Sequence, residues 1–314
     1  GGERGGGGGE EEIASADAEI AMLLAAIPTV GLDGVANFRL VSPSLPGIYR
    51  SAALERATAA DAAEILDRYK IRTIIDLRNE DEIDKARASA TQFGRSLCAA
   101  YDGCEPVGPG CLASEGSGWL CRERVPLLAD VDAFWSAVEA KLGPVAKAKG
   151  TALRAFNGAA YDQLLADELV RGGQAMLYTC MLQSADASAW RRALALAADR
   201  SRGAVLIHCA KGKDRTGVLA ALLQHAANDG EAAIVDAYAE SAALEPASEA
   251  TDAGDSRVDW SKLRGAPPEA MAETLGYLRS EYGAIDGFLE SVECGEAWRA
   301  ELLQGARTPI LRSS

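Results

Sequence analysis

Gly203-Ala204-Val205-Leu206-Ile207-His208-Cys209-Ala210-Lys211-Gly212-Lys213-Asp214-Arg215-Thr216-Gly217 is the stretch on which the reading of this chain turns. Its first six residues form a short apolar run of the kind that makes a strand buried on both faces. Its last residues open a pattern through Asn228 that reads as a helix. The loop between them therefore lies at the C-terminal edge of a sheet, where open α/β folds gather their sites.

A second run of the same kind, Ile71-Arg72-Thr73-Ile74-Ile75-Asp76-Leu77-Arg78, ends in charged residues and reads as a parallel strand. Arg124 to Leu128 reads as a further strand, and residues 34 to 54 as short β-like pieces broken by Pro43, Pro46 and Gly47. Helical patterns occupy Ile13 to Ile27, Ala59 to Tyr69 with Thr58 or Asp61 as cap, Asp130 to Lys149, Tyr161 to Asp199, and most of Glu231 to Leu303. Strands alternating with helices predict an α/β domain with a mostly parallel central sheet flanked by helices. Residues 1–12 read as a disordered Gly-rich tail, and residues 13–314 as one domain.

The loop has the chemistry of an oxyanion site. Thiols at helix N-termini beside cations ionise with pKa values of roughly 3.5–7.5, and Cys209 precedes a helix with Lys211, Lys213 and Arg215 nearby. Gly212 allows a tight turn in which the backbone N–H groups of Ala210, Lys211, Gly212 and Lys213 face an anion. Arg215 offers a planar fork to two phosphate oxygens, which a lysine does not. Thr216 places a hydroxyl where it can stabilise a departing thiolate. The five residues between Cys209 and Arg215 give a loop that can encircle one phosphate.

Cys-x5-Arg, preceded by His208 and followed by Thr216-Gly217, resembles the phosphate loop of the protein tyrosine and dual-specificity phosphatase superfamily. The fuller string, His-Cys-x-x-Gly-Lys-Asp-Arg-Thr-Gly, resembles the atypical tyrosine/serine phosphatases typified by secreted mycobacterial and listerial enzymes, some of which act on phosphoinositides. Further blocks match in order: Asn37-Phe38-Arg39, Tyr49-Arg50-Ser51-Ala52, Thr73 to Arg78, Asp236 to Ser241, Pro268 to Met271, and Tyr282-Gly283. The resemblance covers roughly residues 34 to 304, with 97 to 200 as a divergent insertion. It implies a tyrosine phosphatase-like fold with extra helices and hydrolysis through Cys209, with Arg78 joining the phosphate-binding groups. The substrates implied are phosphotyrosine or phosphoserine/threonine proteins, phosphoinositides or inositol phosphates.

The leaving oxygen needs a proton, and the chain has no Trp-Pro-Asp. The resembled family places the acid inside the loop, at Asp214. Asp76 is the second candidate; as a structural carboxylate it would hold Arg78 or the loop. Asp130 and Asp132 are distant third choices that equally suit a helix start. His208 is expected to support Cys209, as in the resembled family, and His225 to be a half-buried polar residue. The rival readings are a silent phospho-ligand-binding protein and a sulfur-transfer or arsenate-reducing protein with a similar loop.

The formal charge of −14 disfavours nucleic-acid partners, and no apolar run approaches the roughly 18 residues of a membrane span. A cytoplasmic location is the expectation, left open because the chain does not begin with Met. Seven scattered cysteines read as reduced thiols. Cys98, Cys104, Cys111 and Cys121 cluster without a CxxC pair, so zinc is not expected there, and the chemistry read at Cys209 requires no metal or organic cofactor.

Overall fold

The computed structural model describes residues 31–98, 103–107, 118–244 and 255–307; the helix expected over Ile13 to Ile27 and the N-terminal tail lie outside them. A sheet of six strands organises the chain. The strands are β1 (Arg39–Leu40), β2 (Ile48–Ser51), β3 (Ile71–Asp76), β4 (Gly103–Val107), β5 (Gly118–Arg124) and β6 (Ala204–His208), in the order β1-β2-β6-β3-β5-β4. The four middle strands run parallel, and β1 and β4 are antiparallel edges. This is the mostly parallel α/β sheet expected. β5 ends at Arg124, however, so the strand expected over Arg124 to Leu128 lies earlier in the chain.

Both faces of the sheet are covered. From β6, Val205 and Ile207 enter one core with Ile48 and Ile75, while Ala204 and Leu206 enter a second with Ile71 and Ile74. Ile71 and Ile74 share a face despite their odd spacing because the β3–β6 register shifts between Ile71 and Thr73. Such an irregularity resets the two-residue alternation.

The helices follow local signals. The first, α1 (Ala59–Ala63), continues into a π-helical turn, Glu64–Arg68. Thr58 and Asp61, the alternative caps, are the two halves of one capping box. The next are α2 (Glu80–Arg87) and α3 (Gln92–Leu97). The pattern over Asp130 to Lys149 splits at Gly143-Pro144 into α4 (Val131–Ala140) and α5 (Pro144–Phe156), since proline suits the first turn of a helix and not its middle. The pattern over Tyr161 to Asp199 becomes α6 (Gly158–Ser184) and α7 (Ala187–Ala198), with Asp186 capping the second. Within α6 the helix is interrupted at Gly173, where φ is 66° and ψ −163°.

After β6 come α8 (Asp214–Ala226), α9 (Glu231–Ala239) and α10 (Ser241–Leu244). Three more follow: α11 (Pro268–Tyr282), α12 (Ile285–Ser291) and α13 (Glu296–Arg307). Helix α8 is buried along nearly its whole length, as suits a helix apolar on most sides. Among the described residues, no helix is long and apolar enough to cross a membrane.

Parallel register brings the strand ends level. Ser51 pairs with His208, His208 with Asp76, and Asp76 with Arg124. The loop after His208 thus emerges between the ends of β2 and β3.

Among the described side chains, one cysteine departs from expectation. Cys121, register-paired with Cys104 on β4, is disulfide-bonded rather than a reduced thiol. Cys180, Cys209 and Cys294 are free and buried, and Cys98 is buried.

Candidate active site

The loop from Cys209 to Lys213 is held from outside by its carbonyls. Ala53 N donates to Ala210 O at 3.1 Å. Asn37 Nδ2 donates to Lys211 O at 3.1 Å and to Gly212 O at 2.9 Å. Arg50 Nη2 donates to Gly212 O at 2.7 Å. In a planar trans peptide the next N–H points opposite to the carbonyl. Anchoring these three carbonyls outward therefore turns the N–H groups of Lys211, Gly212 and Lys213 to the inner side, as an anion nest requires.

Gly212 is fixed by two constraints. Its φ is +67°, and a Cβ there would stand 2.3 Å from Ser51 O. A side chain would meet both left-handed strain and a backbone atom that cannot yield.

The anchors are themselves anchored. Asn37 takes a left-handed conformation, φ 57°, and accepts from Arg39 Nη1. Arg39 Nη2 donates to Ala237 O at 2.7 Å and to Ser241 Oγ at 3.0 Å, and its Nε lies 3.4 Å from Glu240. The blocks around Asn37, Arg50 and Ser241, far apart in sequence, thus converge behind the loop.

Arg215 meets Glu82 through two hydrogen bonds, Nη1 to Oε2 at 2.5 Å and Nη2 to Oε1 at 2.6 Å. Glu82 also accepts from Asn79 N at 3.0 Å, as part of the capping box of α2. Burial works to raise the Glu82 carboxyl, but Arg215, the Asn79 N–H and Arg78 together outweigh it and hold the carboxyl below its ordinary value. Burial likewise works against the Arg215 charge, and Glu82 more than restores it.

A strand-loop-helix holding Cys209 and Arg215 thus lies against the blocks around Asn37, Arg50 and Ser241, which the sequence had kept apart. A model of the tyrosine phosphatase family matches residues 32–304. The chain belongs to that family. A tyrosine-protein phosphatase from Nostoc commune is 35% identical over 108 residues, covering 30% of this chain and 36% of that protein. The aligned stretch thus spans little more than a third of the relative.

In this tyrosine phosphatase family member, Asp214 begins α8 with its side chain 26% exposed. It accepts from Tyr178 Oη at 2.7 Å, and Tyr178 Oη lies 2.7 Å from Tyr238 Oη. Burial first, and then Asp214, push the Tyr178 phenol well above its ordinary value, so it stays a neutral donor. Thr216 is fully buried, and its hydroxyl has no hydrogen-bond partner.

Burial decides between the two readings of Asp76 and corrects two expectations. Asp76 is 0% exposed and bound to Arg78 through both oxygens, Nε to Oδ1 at 2.9 Å and Nη2 to Oδ2 at 2.7 Å. That geometry belongs to a structural carboxylate rather than a proton donor to substrate. Arg78, expected to bind phosphate, is 1% exposed and also donates to Glu55 at 2.7 Å. It spends its charge on two buried carboxylates. Lys213, expected as one of the cations beside Cys209, is 1% exposed; its Nζ donates to Leu263 O at 2.8 Å and Gly265 O at 2.7 Å. Its backbone N–H faces the loop while its ammonium ties down the 263–265 segment.

His208 is fully buried, with Nδ1 3.4 Å from Cys209 O and Nε2 3.6 Å from Asp76 Oδ2. Burial lowers its pKa despite Asp76, which keeps it neutral. Asp130 caps α4 through Ala133 N at 2.8 Å, and Asp132 lies in that helix's first turn. His225 is half-buried, 3.2 Å from Asp286.

Sequence reasoning missed Glu82, Tyr178 and Tyr238 as site residues. Glu82 carried a faint signal, since Asn79-x-x-Glu82 is a capping-box pattern. Tyr238 lay within the matching block Asp236 to Ser241, without a role of its own, and Tyr178 carried no signal, because its partners are set by tertiary packing.

Proposed function

We propose that this chain hydrolyses phosphate monoesters through a cysteinyl-phosphate intermediate. The observation that carries this reading is the loop itself, with three carbonyls tied outward and Arg215 fixed by Glu82 at its far end. Arg215 and the inward N–H groups bind the three non-bridging oxygens. The Cys209 thiolate attacks phosphorus as the ester P–O bond breaks, and Asp214 gives its proton to the leaving oxygen. Water then attacks the phosphocysteine, Asp214 takes a proton from it, and the thiolate departs as inorganic phosphate forms. The partnerless Thr216 hydroxyl is a donor for that departing sulfur.

Phosphotyrosine proteins are the proposed substrates, in keeping with the relative's name. Burial of the Lys213 ammonium leaves Lys211 as the lysine of the loop able to serve a second phosphate, which weakens the case for phosphoinositides. The test is hydrolysis of p-nitrophenyl phosphate, then of phosphopeptides and phosphoinositides, against a Cys209→Ser control. Turnover lost with the sulfur, and a phosphate trapped on Cys209 by rapid acid quench and mass spectrometry, are expected. Hydrolysis that survives Cys209→Ser, or none above it in the wild type, would overturn the reading.

A further inference from the structure

The cations around the loop are not equivalent. Arg78 lies between Asp76 and Glu55, Arg39 meets Glu240, and Arg215 is gripped by Glu82. Arg50 is different. It is 1% exposed, yet among the described residues no carboxylate lies within ion-pairing distance of it. Nη2 donates to Gly212 O at 2.7 Å and reaches Ser241 Oγ at 3.5 Å, both neutral acceptors. Its Nε is buried with no hydrogen-bond partner at all.

A buried charge without a partner is strongly unfavourable, so an opposite charge close by is the expected compensation. The titratable groups facing Arg50 are Arg39 from β1, Cys209 from the loop, Tyr178 from α6 and Tyr238 from α9. Arg39 repels it. Tyr178 is neutral, because burial raises its phenol well above the ordinary value, and the buried Tyr238 hydroxyl is engaged in a 2.7 Å hydrogen bond with it. Cys209 remains as the group whose ionisation supplies an anion. Burial and Arg39 push the Arg50 guanidinium down to about 9, and Cys209 acts in the opposite sense.

Seen from the sulfur, the contrast is sharper. Arg215 also acts on Cys209, but its charge is already matched by Glu82. The Lys213 ammonium is turned to the carbonyls of Leu263 and Gly265 and lies 3.6 Å from the Asp214 carboxylate. Of Arg39, Arg50, Arg78, Lys213 and Arg215, Arg50 is therefore the cation that no described carboxylate matches.

We propose that Arg50 is the counter-charge of the Cys209 thiolate and, through the Gly212 carbonyl, the clamp that fixes the floor of the loop. It is a positioning residue, acting through Cys209 and the backbone without touching substrate. The assignment rests on Cys209 being the nucleophile proposed above.

Arg50→Gln keeps a donor for Gly212 O and deletes the charge, Arg50→Met deletes both, and Arg50→Lys keeps the charge without the fork. The readout is the rate of Cys209 alkylation by iodoacetamide against pH, followed by peptide mass spectrometry, with near-ultraviolet circular dichroism reporting the fold. At about pH 6 the Gln and Met variants are expected to alkylate about tenfold more slowly than wild type and to recover at higher pH, as an upward shift of one unit in the thiol midpoint requires. Arg50→Lys is expected to stay within about threefold of wild type. A folded Arg50→Gln or Arg50→Met with the wild-type profile overturns the proposal. So does misfolding of all three variants, which would make Arg50 structural. Folding of Arg50→Lys alone supports it, because charge is then what the site requires. A wild type that alkylates readily at pH 6 but hydrolyses no phosphate ester overturns the phosphatase reading and leaves the Arg50 assignment standing.

Discussion

Glu82 holds Arg215 through both carboxylate oxygens, at 2.5 and 2.6 Å, from a helix that follows a different strand. The guanidinium is thereby aimed before any ligand arrives, and binding does not have to order it. Glu82→Gln keeps the shape but removes the charge that matches Arg215. The expected result is a loss of about a hundredfold in kcat/KM, the scale of a misplaced binding group. A loss of about 3 kcal/mol in stability should accompany it, because the partner charge is left buried. Steady-state kinetics with p-nitrophenyl phosphate and urea unfolding at neutral pH measure the two effects. An unchanged kcat/KM would remove Glu82 from the site.

Gly212 gives the second expectation. Gly212→Ala forces a side chain into φ +67° and against Ser51 O. The conformation alone costs about 1–2 kcal/mol, and relief of the overlap must move either the loop or the end of β2. Turnover should be lost while the fold persists with a lowered Tm. Gly276→Ala is the control: it lies within α11, and an added Cβ meets only Arg279 Nη2, at 3.7 Å. It should stabilise by about 0.5–1 kcal/mol, as removal of a mid-helix glycine does. Thermal melts of the two variants side by side are the measurement.

What could be read from the sequence follows from how local each feature is. β3 and β6 announce themselves because strands buried on both faces are continuous apolar runs, and the loop between β6 and α8 is contiguous in sequence. Chain order also fixed which residues precede the helix that carries Arg215. The charges were misassigned because their fate depends on distant groups. Lys213 is drawn away by carbonyls of residues 263 and 265, and Arg78 by Glu55 from before α1. Neither partner is visible from the motif. Glu82, Tyr178 and Arg50 reach the site from three separate elements, which no spacing rule links.

Asp214 and Tyr178 yield a third expectation. Tyr178 Oη donates to Asp214 from α6, in the segment whose sequence resembles the family least. Asp214→Asn should slow esters with poor leaving groups far more than p-nitrophenyl phosphate, because only the former need the proton. Tyr178→Phe removes one hydrogen bond to the carboxylate and leaves the ring packed against Tyr238. Its effect should have the same leaving-group dependence at about a tenth of the magnitude, in proportion to one charge-assisted bond of about 1.5–3 kcal/mol partly replaced by water. A Brønsted series of aryl phosphates at fixed pH provides the comparison. Equal losses across the series for Asp214→Asn would exclude it as the acid.

The buried His208 and Glu82 predict two separate steps of acid destabilisation. Burial holds the folded His208 below the ordinary histidine value of 6.5, so the unfolded state takes up a proton first as pH falls. By linkage, stability is complete above that value and declines as pH drops from it toward the folded value. Glu82 behaves in the same sense in a lower window. Its folded value lies below 4.5, so its contribution is present above 4.5 and lost as pH falls through the depressed value. Urea unfolding between about pH 8 and pH 3 should therefore show stability falling first near the ordinary histidine range and again in the carboxylate range. His208→Asn should flatten the first step and leave the second, and Glu82→Gln should do the reverse. A first step that survives His208→Asn would show that His208 takes its proton as readily folded as unfolded, and so that Asp76, 3.6 Å away, outweighs the burial.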